Sequence, residues 1–509
     1  MTDTISPATP RVAMTHGQIM AVIWGLMIGL FLAALDQTIV ATALPTMVGE
    51  LGGLEQLSWV VTAYLLASTV TAPLYGKISD LYGRKAVFQA AIILFLAGSI
   101  LCGLSQNMGQ LVAWRGLQGL GAGGLFVMAM TIIGDILSPR ERGRYQGYFG
   151  AVFALASVAG PLAGGWFVDN VDWRWVFYIN VPIGLVALFV TGSALNLPFV
   201  RRARPIDFAG AATLVVSVSA LLLAMVWGGN EYEWNSPQII GLLVTGAVVG
   251  LAFLWWERRA VEPILPPRLF RNRTFALTSA SGFIIGLAMF GGIVFLPLFL
   301  QVVVGASATN SGLLLVPMMG GIIGSSVIGG RLITRTGRYK IFPVVGSALA
   351  TLAFFLLSTM GVGTVLATAS VYMFVLGVGV GMIMPVLVLA VQNSVDHSDM
   401  GVATSSNNFF RSLGGAFGTA LLGAVFTGQL ATRLAGLGSG VGGGPLTSSP
   451  AAIAALPDSV RSQVIEVFAS SIGTVFLVAL PFTVLALVLS LLTPELPLRE
   501  TAHVGASEV

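Results

Sequence analysis

The sequence predicts an all-α integral membrane protein with fourteen transmembrane helices. Of its 509 residues, 56% are hydrophobic and only 9% are charged, whereas a soluble protein has about a quarter charged residues. The hydrophobic residues are gathered into fourteen long runs, most of which reach the roughly 20 residues that a tilted helix needs to cross a bilayer. The approximate bounds of these runs are 18–46, 56–76, 85–104, 107–134, 146–168, 175–195, 208–228, 237–256, 274–303, 311–333, 341–359, 364–391, 400–426 and 468–493.

The positively charged residues orient the chain. With the N-terminus in the cytoplasm, the outside connections carry only Arg174, Arg433 and Arg461, and the other basic connections face inside. An excess of Lys and Arg marks the cytoplasmic side of a membrane protein. The inside connection at Asp396–Asp399 is acidic and is the local exception. An even number of spans returns the C-terminus inside, so we predict a multi-pass protein of the cell (plasma) membrane with both termini cytoplasmic.

An internal repeat indicates a duplicated architecture. The pattern GKI…GR at Gly76–Arg84 recurs as GRL…GR at Gly330–Arg338, about half a chain later, and eight predicted spans separate the copies. A six-plus-six duplication with two extra spans between the halves gives that count, and such repeats are typical of secondary transporters. The predicted parts are an N-terminal six-helix bundle (1–200), two additional central helices (201–262) and a C-terminal six-helix bundle in pseudo-twofold arrangement (263–509) with a long outside loop (427–467).

An acidic residue inside the first run is the leading candidate for proton coupling. A charged Asp36 at this depth costs about 2.5–3.5 kcal/mol, so such a residue usually faces a partner or a cavity. Arg115 in the fourth run lies at matching depth, roughly 12–15 Å from the outer surface. A buried arginine needs an anion or polar partners, and Asp36, directly or through Gln37, Gln118 and water, is the obvious candidate. Two interpretations of Asp36 and Arg115 are open: the pair takes part in proton transfer, or it is a static structural ion pair.

A second group of charges lies at the first inside loop. Asp80 and Arg84 are four residues apart and face each other if the segment is helical. Asp135, at the inside end of the fourth run, could share Arg84. Gly76 and Gly83 allow a tight turn and close helix approach. The group would form an ionic latch that holds one conformation until an acid is protonated, or it is a solvated turn with positive-inside charges.

The fifth run carries a helix-bend motif. Pro161 removes a backbone hydrogen bond, and Gly160 and Gly164 allow a neighbouring helix to approach closely. This combination predicts a bend at which the two halves rock, or simple packing with a kink.

The cavity of a transporter with this architecture should lie near the midplane between the halves. Arg411 lies mid-run in the thirteenth segment, where it serves either as an interhelical latch or in the pathway. The second half is also rich in adaptable Met and Phe side chains, which either pack the core or line a cavity for varied lipophilic substrates. The candidate cavity residues are Gln37, Gln118, Met289, Asn408 and Arg411.

Several stretches together resemble the major facilitator superfamily. GKISDLYGRK at Gly76–Lys85 resembles the signature loop of that family. The others look like motifs of its fourteen-span drug:proton antiporter branch, in the right order: LDQTIVATALP (Leu35–Pro45), RGLQGLG (Arg115–Gly121), GPLAGG (Gly160–Gly165) and DWRWVFYINVPIG (Asp172–Gly184). Ala41 departs from the Asn that is common in the first of these. Thr334 replaces the acid in the second loop copy, so a latch there is expected to be weak or absent.

The resemblance implies a proton-coupled antiporter that exports lipophilic, often cationic, small molecules by alternating access, as in multidrug efflux and antibiotic resistance. In the family the arginine at the position of Arg115 is implicated in proton transfer, and Asp36 would carry the proton. The expected partners are the small-molecule substrate, protons and the lipid bilayer, with no nucleic acid. The protein is expected to be a monomer with no metal and no cofactor, driven by the proton gradient. We find no nucleotide-binding P-loop, which argues against ATP.

Two alternatives remain open at the level of sequence. The same fold could export a lipid or an endogenous metabolite. An integral-membrane enzyme would need clustered nucleophiles or metal ligands, but the three histidines, His16, His397 and His503, are scattered. We therefore expect that the protein is not an enzyme.

Overall fold

The computed structural model describes residues 15–52, 57–195, 207–229, 231–306, 313–396, 399–435, 453 and 456–499. These residues form long α-helices and contain no β-strand. We label the helices of fifteen residues or more in chain order as α1 (His16–Leu51), α2 (Leu57–Tyr82), α3 (Arg84–Gly103), α4 (Met108–Ile136), α5 (Pro139–Asn170), α6 (Asn180–Ala194), α7 (Phe208–Trp227), α8 (Pro237–Glu257), α9 (Arg273–Val302), α10 (Val316–Thr336), α11 (Ile341–Ser358), α12 (Leu366–Ser394), α13 (Met400–Ala435) and α14 (Asp458–Leu492). A short helix, Trp175–Tyr178, precedes α6, and a 3₁₀ turn, Pro267–Arg271, precedes α9.

Twelve helical stretches of the described chain are long and apolar enough to cross a membrane. They fall in all of the labelled helices except α2 and α9. In α9, residues Arg273–Met289 form an apolar stretch, and the helix continues to Val302. Helix α2 contains Pro73 and carries Lys77 and Asp80 near its end. The predicted all-helical membrane fold is confirmed, while the count of fourteen spans stays a prediction.

Several helices begin where the sequence offers a capping residue. Thr15 accepts a hydrogen bond from the backbone N–H of Gln18, whose side chain accepts one from the backbone N–H of Thr15. Ser138 and Glu141 form the same reciprocal capping box at the start of α5. A capping box satisfies backbone donors that the first helical turn leaves without partners. These starts are therefore encoded locally, within three residues of each boundary.

The predicted long connection 427–467 is shorter than the sequence indicated. Helix α13 continues to Ala435, and α14 already begins at Asp458. The reason is local: residues 427–435 contain good helix formers such as alanine, leucine and glutamine, and Asp458 places an acid in the first turn of α14, where the helix dipole favours it. Residues 436–452 of the predicted loop lie outside the described residues.

The helices pack as two sets, each with its own apolar core. In the first set, α1 packs on α5 and α6, and α4 packs on α2 and α3; in the second, α9 packs on α13 and α14, and α12 packs on α10 and α11. Phe88, Phe95 and Met128 lie in the core of α1–α6, and Phe354 and Phe476 in that of α9–α14. The sets meet mainly along α5–α10 and α2–α13. Helices α7 and α8 pack on each other, and α7 contacts α2 and α13.

Candidate functional site

Asp36 of α1 is fully buried and held by side chains from two other helices. Its Oδ2 accepts a hydrogen bond from Arg115 Nη1 at 2.6 Å. Its Oδ1 accepts from Gln118 Nε2 at 2.7 Å and from Asn180 Nδ2 at 2.9 Å. Asp36 has 0% of its surface exposed and Arg115 has 2%. The two residues that the sequence placed at matching depth are therefore in direct contact.

Arg115 has additional partners around the guanidinium. Its Nη1 also donates to Gln118 Oε1 at 2.7 Å, and its Nε donates to the carbonyl of Val60 at 3.2 Å. The guanidinium carbon lies 4.2 Å from the centre of the Tyr64 ring, within cation–π range. Arg115 and Gln118 share one face of α4 because they are three residues apart. The buried cation is thus compensated by an acid, an amide, a carbonyl and a ring.

A glycine lets α3 approach α4 closely enough to build this cluster. A Cβ added to Gly98 would lie 2.5 Å from the backbone nitrogen of Gln118, closer than a Cβ atom approaches a non-bonded heavy atom in folded proteins. The adjacent residue of α3, Ser99, accepts a hydrogen bond from Asn180 Nδ2 at 3.0 Å and donates to the carbonyl of Phe177 at 2.9 Å. The close helix packing brings Ser99 into the group around Asp36.

Asn180 and Ser99 were not among the sequence-predicted site residues. Asn180 is fully buried at the start of α6, and its Oδ1 has no hydrogen-bond partner in the described structure. The available signal was the position of Asn180 in an apolar run, a few residues from the same membrane surface as Arg115. Gln37, which was predicted, is exposed and is not a partner of the Asp36 carboxylate.

The predicted latch residues are together at the end of the helices where α2 joins α3. Arg84 Nη1 lies 2.5 Å from Asp80 Oδ1, and Arg84 Nε lies 2.7 Å from Asp135 Oδ2. Gly83 has φ +93°, a conformation that side-chain-bearing residues rarely adopt. The chain can therefore turn within one residue and leave Arg84 between the two acids.

The first turn of α13 covers this ion-pair group. A Cβ added to Gly401 would lie 2.5 Å from Asp80 Oδ1 and 2.8 Å from Arg84 Nη1, and one added to Gly76 would meet the carbonyl of Gly401 at 2.6 Å. Asp80 is thus close to the positive end of the α13 dipole, which favours an anion. The group connects the two helix sets as well as helices within the first.

Further contacts between the two sets lie at the same end. Arg140 Nε donates to the carbonyl of Thr334 at 2.9 Å, and Thr334 Oγ1 donates to the carbonyl of Arg140 at 2.9 Å. Arg142 Nη1 donates to Gln392 Oε1 at 3.0 Å, and Gln392 Nε2 donates to the carbonyl of Met130 at 3.1 Å. Thr334, which replaces an acid in the second loop copy, therefore bonds across the two sets.

The bend motif of α5 lies against α1 beside Asp36. Added Cβ atoms would clash with α1, at Thr38 for Gly160 and at Thr42 and Ile39 for Gly164. Thr38 Oγ1 donates to the carbonyl of Ala156 at 2.9 Å. This carbonyl belongs to the turn before Pro161, where the proline removes a backbone donor. The motif therefore packs next to the helix that carries Asp36.

The remaining cavity candidates separate into two groups. Met289 is 7% exposed and belongs to the apolar core of the second helix set, not to a cavity. Arg411 is partly exposed; it donates to Asn408 Oδ1 and to Met384 Sδ, and its guanidinium carbon lies 4.8 Å from the centre of the Phe126 ring. Arg411 thus lies where the two helix sets meet.

At the opposite end of the helices, a polar cluster ties α1 to the segment before α6. Glu50 Oε1 accepts from Arg174 Nη1 at 2.7 Å, and Glu50 Oε2 accepts from Trp173 Nε1 at 2.7 Å. The hydrogen bond from Arg174, followed by that from Trp173, lowers the pKa of Glu50 below its usual value. The ionised carboxylate is therefore stabilised, and the cluster fixes the segment that leads to Asn180.

Two helix sets joined along α5–α10 and α2–α13, with a buried acid–arginine pair in one set, define a membrane transporter of the facilitator type. The Major Facilitator Superfamily model matches residues 26–419. The chain belongs to this superfamily, and because its relatives are transporters, it is not an enzyme.

The chain is similar to named transporters over most of its length. It is 40% identical to Multidrug resistance protein 3 of Bacillus subtilis over 498 residues, which cover 95% of this chain and 96% of that protein. It is 45% identical to Multidrug transporter protein MdtP of the same organism, over 80% of this chain and 75% of that protein. The crystal structure of the human organic anion transporter MFSD10 (TETRAN) has a TM-score of 0.62 at 15% identity, covering 91% of this chain and 99% of that chain. This last likeness concerns the fold alone.

Proposed function

We propose that this transporter is a proton-coupled antiporter that exports lipophilic small molecules by alternating access. In this proposal it is a monomer of the plasma membrane with cytoplasmic termini, fourteen spans and no cofactor. Two six-helix halves, α1–α6 and α9–α14, rock about a central pathway, with α7 and α8 added between them. The observation that carries the proposal is the fully buried Asp36 bound to Arg115 within the membrane helices.

Asp36 has the features that proton coupling requires. A guanidinium does not release its proton in proteins, so the carboxylate is the group of the pair that changes charge. Arg115 and the two amides stabilise the ionised form, while burial favours the neutral form. Protonation would weaken the bonds between α1, α4 and α6 at one point. A charge that moves inward gains about 2.3 kcal/mol per 100 mV, enough to drive an export step.

The ion-pair group of Asp80, Arg84 and Asp135 serves as the conformational latch in this proposal. It lies under the first turn of α13, so that separation of the two halves at this end exposes Asp80 and Arg84. Gly76 is needed for the same contact. The halves therefore open at the cytoplasmic end only when the contact between Asp80 and α13 is broken.

Lipophilicity, rather than positive charge, is the property that we propose for the cargo. A cationic cargo, which the sequence favoured, would need an accessible carboxylate in the membrane. Asp36 is enclosed by three donors, and Asp135 is 5% exposed and bound to Arg84. Only a structural change that frees Asp36 would let it bind a cation.

The test is proton flux driven by a lipophilic dye in proteoliposomes that contain a pH indicator. Asp36→Asn keeps the size of the side chain and removes its charge change, so we expect dye-driven proton flux to fall at least about tenfold, within the range of general acid–base effects. Asp169→Asn is the matched control, because Asp169 is exposed at the end of α5. Wild-type proton flux in Asp36→Asn would overturn the proposal.

A further inference from the structure

Arg411 lies between the two helix sets, well inside α13. It is eleven residues after the first residue of α13, Phe126 is ten residues before the last residue of α4, and Met384 is ten residues before the last residue of α12. Those three helix ends lie together near the α2–α3 loop. At about 1.5 Å per residue the three side chains share a depth of about 15 Å, half of the roughly 30 Å hydrocarbon layer.

The partners of Arg411 in the described structure are all neutral. They are an amide oxygen on its own helix, a methionine sulfur and a phenylalanine ring, and no carboxylate among the described residues lies within ion-pair distance. A sulfur is a weak acceptor, and a guanidinium has five N–H donors. The charge is therefore poorly compensated, in contrast to Arg115, which binds Asp36.

A buried amide donor without an acceptor in the described structure lies beside Arg411. Asn407 is 3% exposed, and its Nδ2 has no hydrogen-bond acceptor among the described residues. An added Cβ at Gly282 of α9 would lie 3.6 Å from Asn407 Nδ2 and 3.9 Å from Arg411 Cβ, so Gly282 lies beside both residues. Asn407 and Arg411 are four residues apart and share a helix face. Buried donors without acceptors are costly, and a ligand that supplies acceptors would remove that cost.

The surroundings indicate what kind of acceptor fits. Arg411, Phe126 and Met384 are all partly exposed, so none of the three side chains is sealed within an apolar core. The guanidinium fork matches a carboxylate or another planar oxyanion, while the ring and the thioether offer an apolar, adaptable wall. Asp36 and Arg115, the pair that we propose for proton coupling, lie closer to the opposite ends of the helices.

We infer that Arg411 and Asn407 bind the anionic end of the cargo, an amphipathic organic acid with a lipophilic body and one carboxylate, sulfonate or phenolate group. The inference rests on the proposed function because it names the class of molecule that the exporter carries. The binding site itself is defined by Arg411 and not by Asp36. Proton coupling and cargo recognition thus reside on different residues at different depths.

The test is equilibrium binding to the purified protein in nanodiscs, with empty nanodiscs as the blank. Three fluorescent probes share one dansyl-aminoundecyl body and end in a carboxylate, a primary amide or a quaternary ammonium group. We expect the wild-type protein to bind the carboxylate at least about tenfold more tightly than the amide, as a charge-assisted contact of about 1.4 kcal/mol would give. Arg411→Gln should abolish that preference and leave the affinity for the amide within about twofold.

Three variants make the result specific. Arg411→Lys keeps the charge without the fork and should retain only part of the preference. Arg433→Gln removes a guanidinium from the far end of the same helix, where it bonds Thr474, and should change nothing. Asp36→Asn should keep the preference for the carboxylate even where it abolishes proton flux, so failure of the proposed function and failure of this inference are distinguishable.

Two results would overturn the inference. Equal wild-type affinity for carboxylate and amide would remove the anion site. An equal loss of both affinities in Arg411→Gln would show that Arg411 only joins the helix sets.

Nanodiscs with and without phosphatidylglycerol identify the source of the anion. Competition by phosphatidylglycerol would indicate that the natural ligand is a lipid phosphate. Lack of competition would indicate a free organic acid. Both outcomes support the inference only if the preference for the carboxylate probe depends on Arg411.

Discussion

The two arginines that lie deep in the helices, Arg115 and Arg411, are compensated in opposite ways. Arg115 contacts Asp36 at 2.6 Å within a closed cluster, whereas Arg411 faces an amide, a sulfur and a ring. A paired charge can respond to a proton without a ligand, and an incompletely paired one favours a ligand of opposite charge. We therefore place proton binding at Asp36, the partner of Arg115, and cargo binding at Arg411. Coupling between them must pass through the helices, because the residues do not touch.

At the scale of residues, the sequence predicts charged sites better than neutral ones. The sequence places Asp36 and Arg115 together because buried charges are rare and the depths of these two along their helices agree, and Gln118 follows because it is three residues after Arg115. The sequence does not identify Asn180 as a site residue, because a neutral amide in an apolar run costs less to bury than a charge and is less unusual there. Met289 was placed in the cavity but packs in the core. Helix α9 is apolar on most of its surface, so periodicity does not show which of its faces points inward.

Asn180 is predicted to position Asp36 for proton exchange. Asn180→Ala removes one donor to the ionised carboxylate, and hydrogen bonds to charged groups contribute about 1.5–3 kcal/mol. The ionised form is then less stable, so we expect the midpoint of the pH profile of dye-driven proton flux to move upward by about one to two units. The measurement is that profile in proteoliposomes, at equal protein content.

Two comparisons show whether this effect is specific to positioning. Thr191→Ala alters a buried hydroxyl on the same helix, whose hydrogen bonds among the described residues go to carbonyls of α6, and should leave the profile in place. Asn180→Ser retains a donor of shorter reach and should give a smaller shift. A lower maximal rate with an unmoved midpoint in Asn180→Ala would mean that Asn180 has only a structural role.

At the scale of elements, the connection between α8 and α9 joins both helix sets. Lys77 Nζ of α2 lies 2.6 Å from Glu262 Oε2, and Arg268 Nη2 lies 2.8 Å from Asp399 Oδ1, just before α13. Burial raises the pKa of Asp399, and Arg268 opposes that shift. The acidic stretch Asp396–Asp399, an exception to the charge rule in the sequence, thus has a basic partner in this connection.

The same connection is anchored internally. Glu257 at the end of α8 is 2% exposed and accepts hydrogen bonds from the backbone N–H groups of Ile264 at 3.2 Å and Leu265 at 3.0 Å. Those two residues pack with Val70 of α2 and Phe409 of α13. The added helices α7 and α8 therefore bring a folded segment to the end of the molecule where the halves meet. A hydropathy profile shows the two helices but not the segment that follows them.

Reversal of one charge in the Lys77–Glu262 pair should destabilise this junction. Both side chains are largely buried, at 13% and 11% exposure, so Lys77→Glu places two like charges in a poorly solvated site. We expect the single reversal to lower the midpoint of thermal unfolding and the double reversal, with Glu262→Lys, to restore much of it. The coupling free energy should be about 0.5–3 kcal/mol, as for other side chains in direct contact.

The control pair for this cycle is Asp458 and Arg461 at the start of α14. Their contact of 2.7 Å is largely exposed on the acid side, at 90%, and exposed pairs contribute little. Reversal of Arg461 should therefore have a much smaller effect. Independent, additive losses in the Lys77 and Glu262 variants would show that the connection does not act through this contact.

At the scale of the whole molecule, the two helix sets have separate cores but are hydrogen-bonded at one end. The half-chain repeat predicted two similar sets because each copy of the loop begins a comparable sequence of helices. It could not predict which ends touch, since that depends on the conformational state. In the described structure Arg140, Arg142, Thr334 and Gln392 join the sets near the α2–α3 loop. If that end is cytoplasmic, as the basic residues indicate, the structure is closed towards the cytoplasm.

The final prediction tests whether opening of this end is required for transport. Thr334 Oγ1 lies 2.9 Å from the carbonyl oxygen of Arg140, so the two segments are adjacent and a cysteine pair at these positions can be tested for crosslinking under oxidation. Cys102 is buried and can be kept. Because the crosslink would hold the halves together at this end, transport should fall in proportion to the crosslinked fraction and recover on reduction. The single-cysteine variants should not respond to oxidation. Full transport by the crosslinked protein would mean that this end does not separate during the cycle.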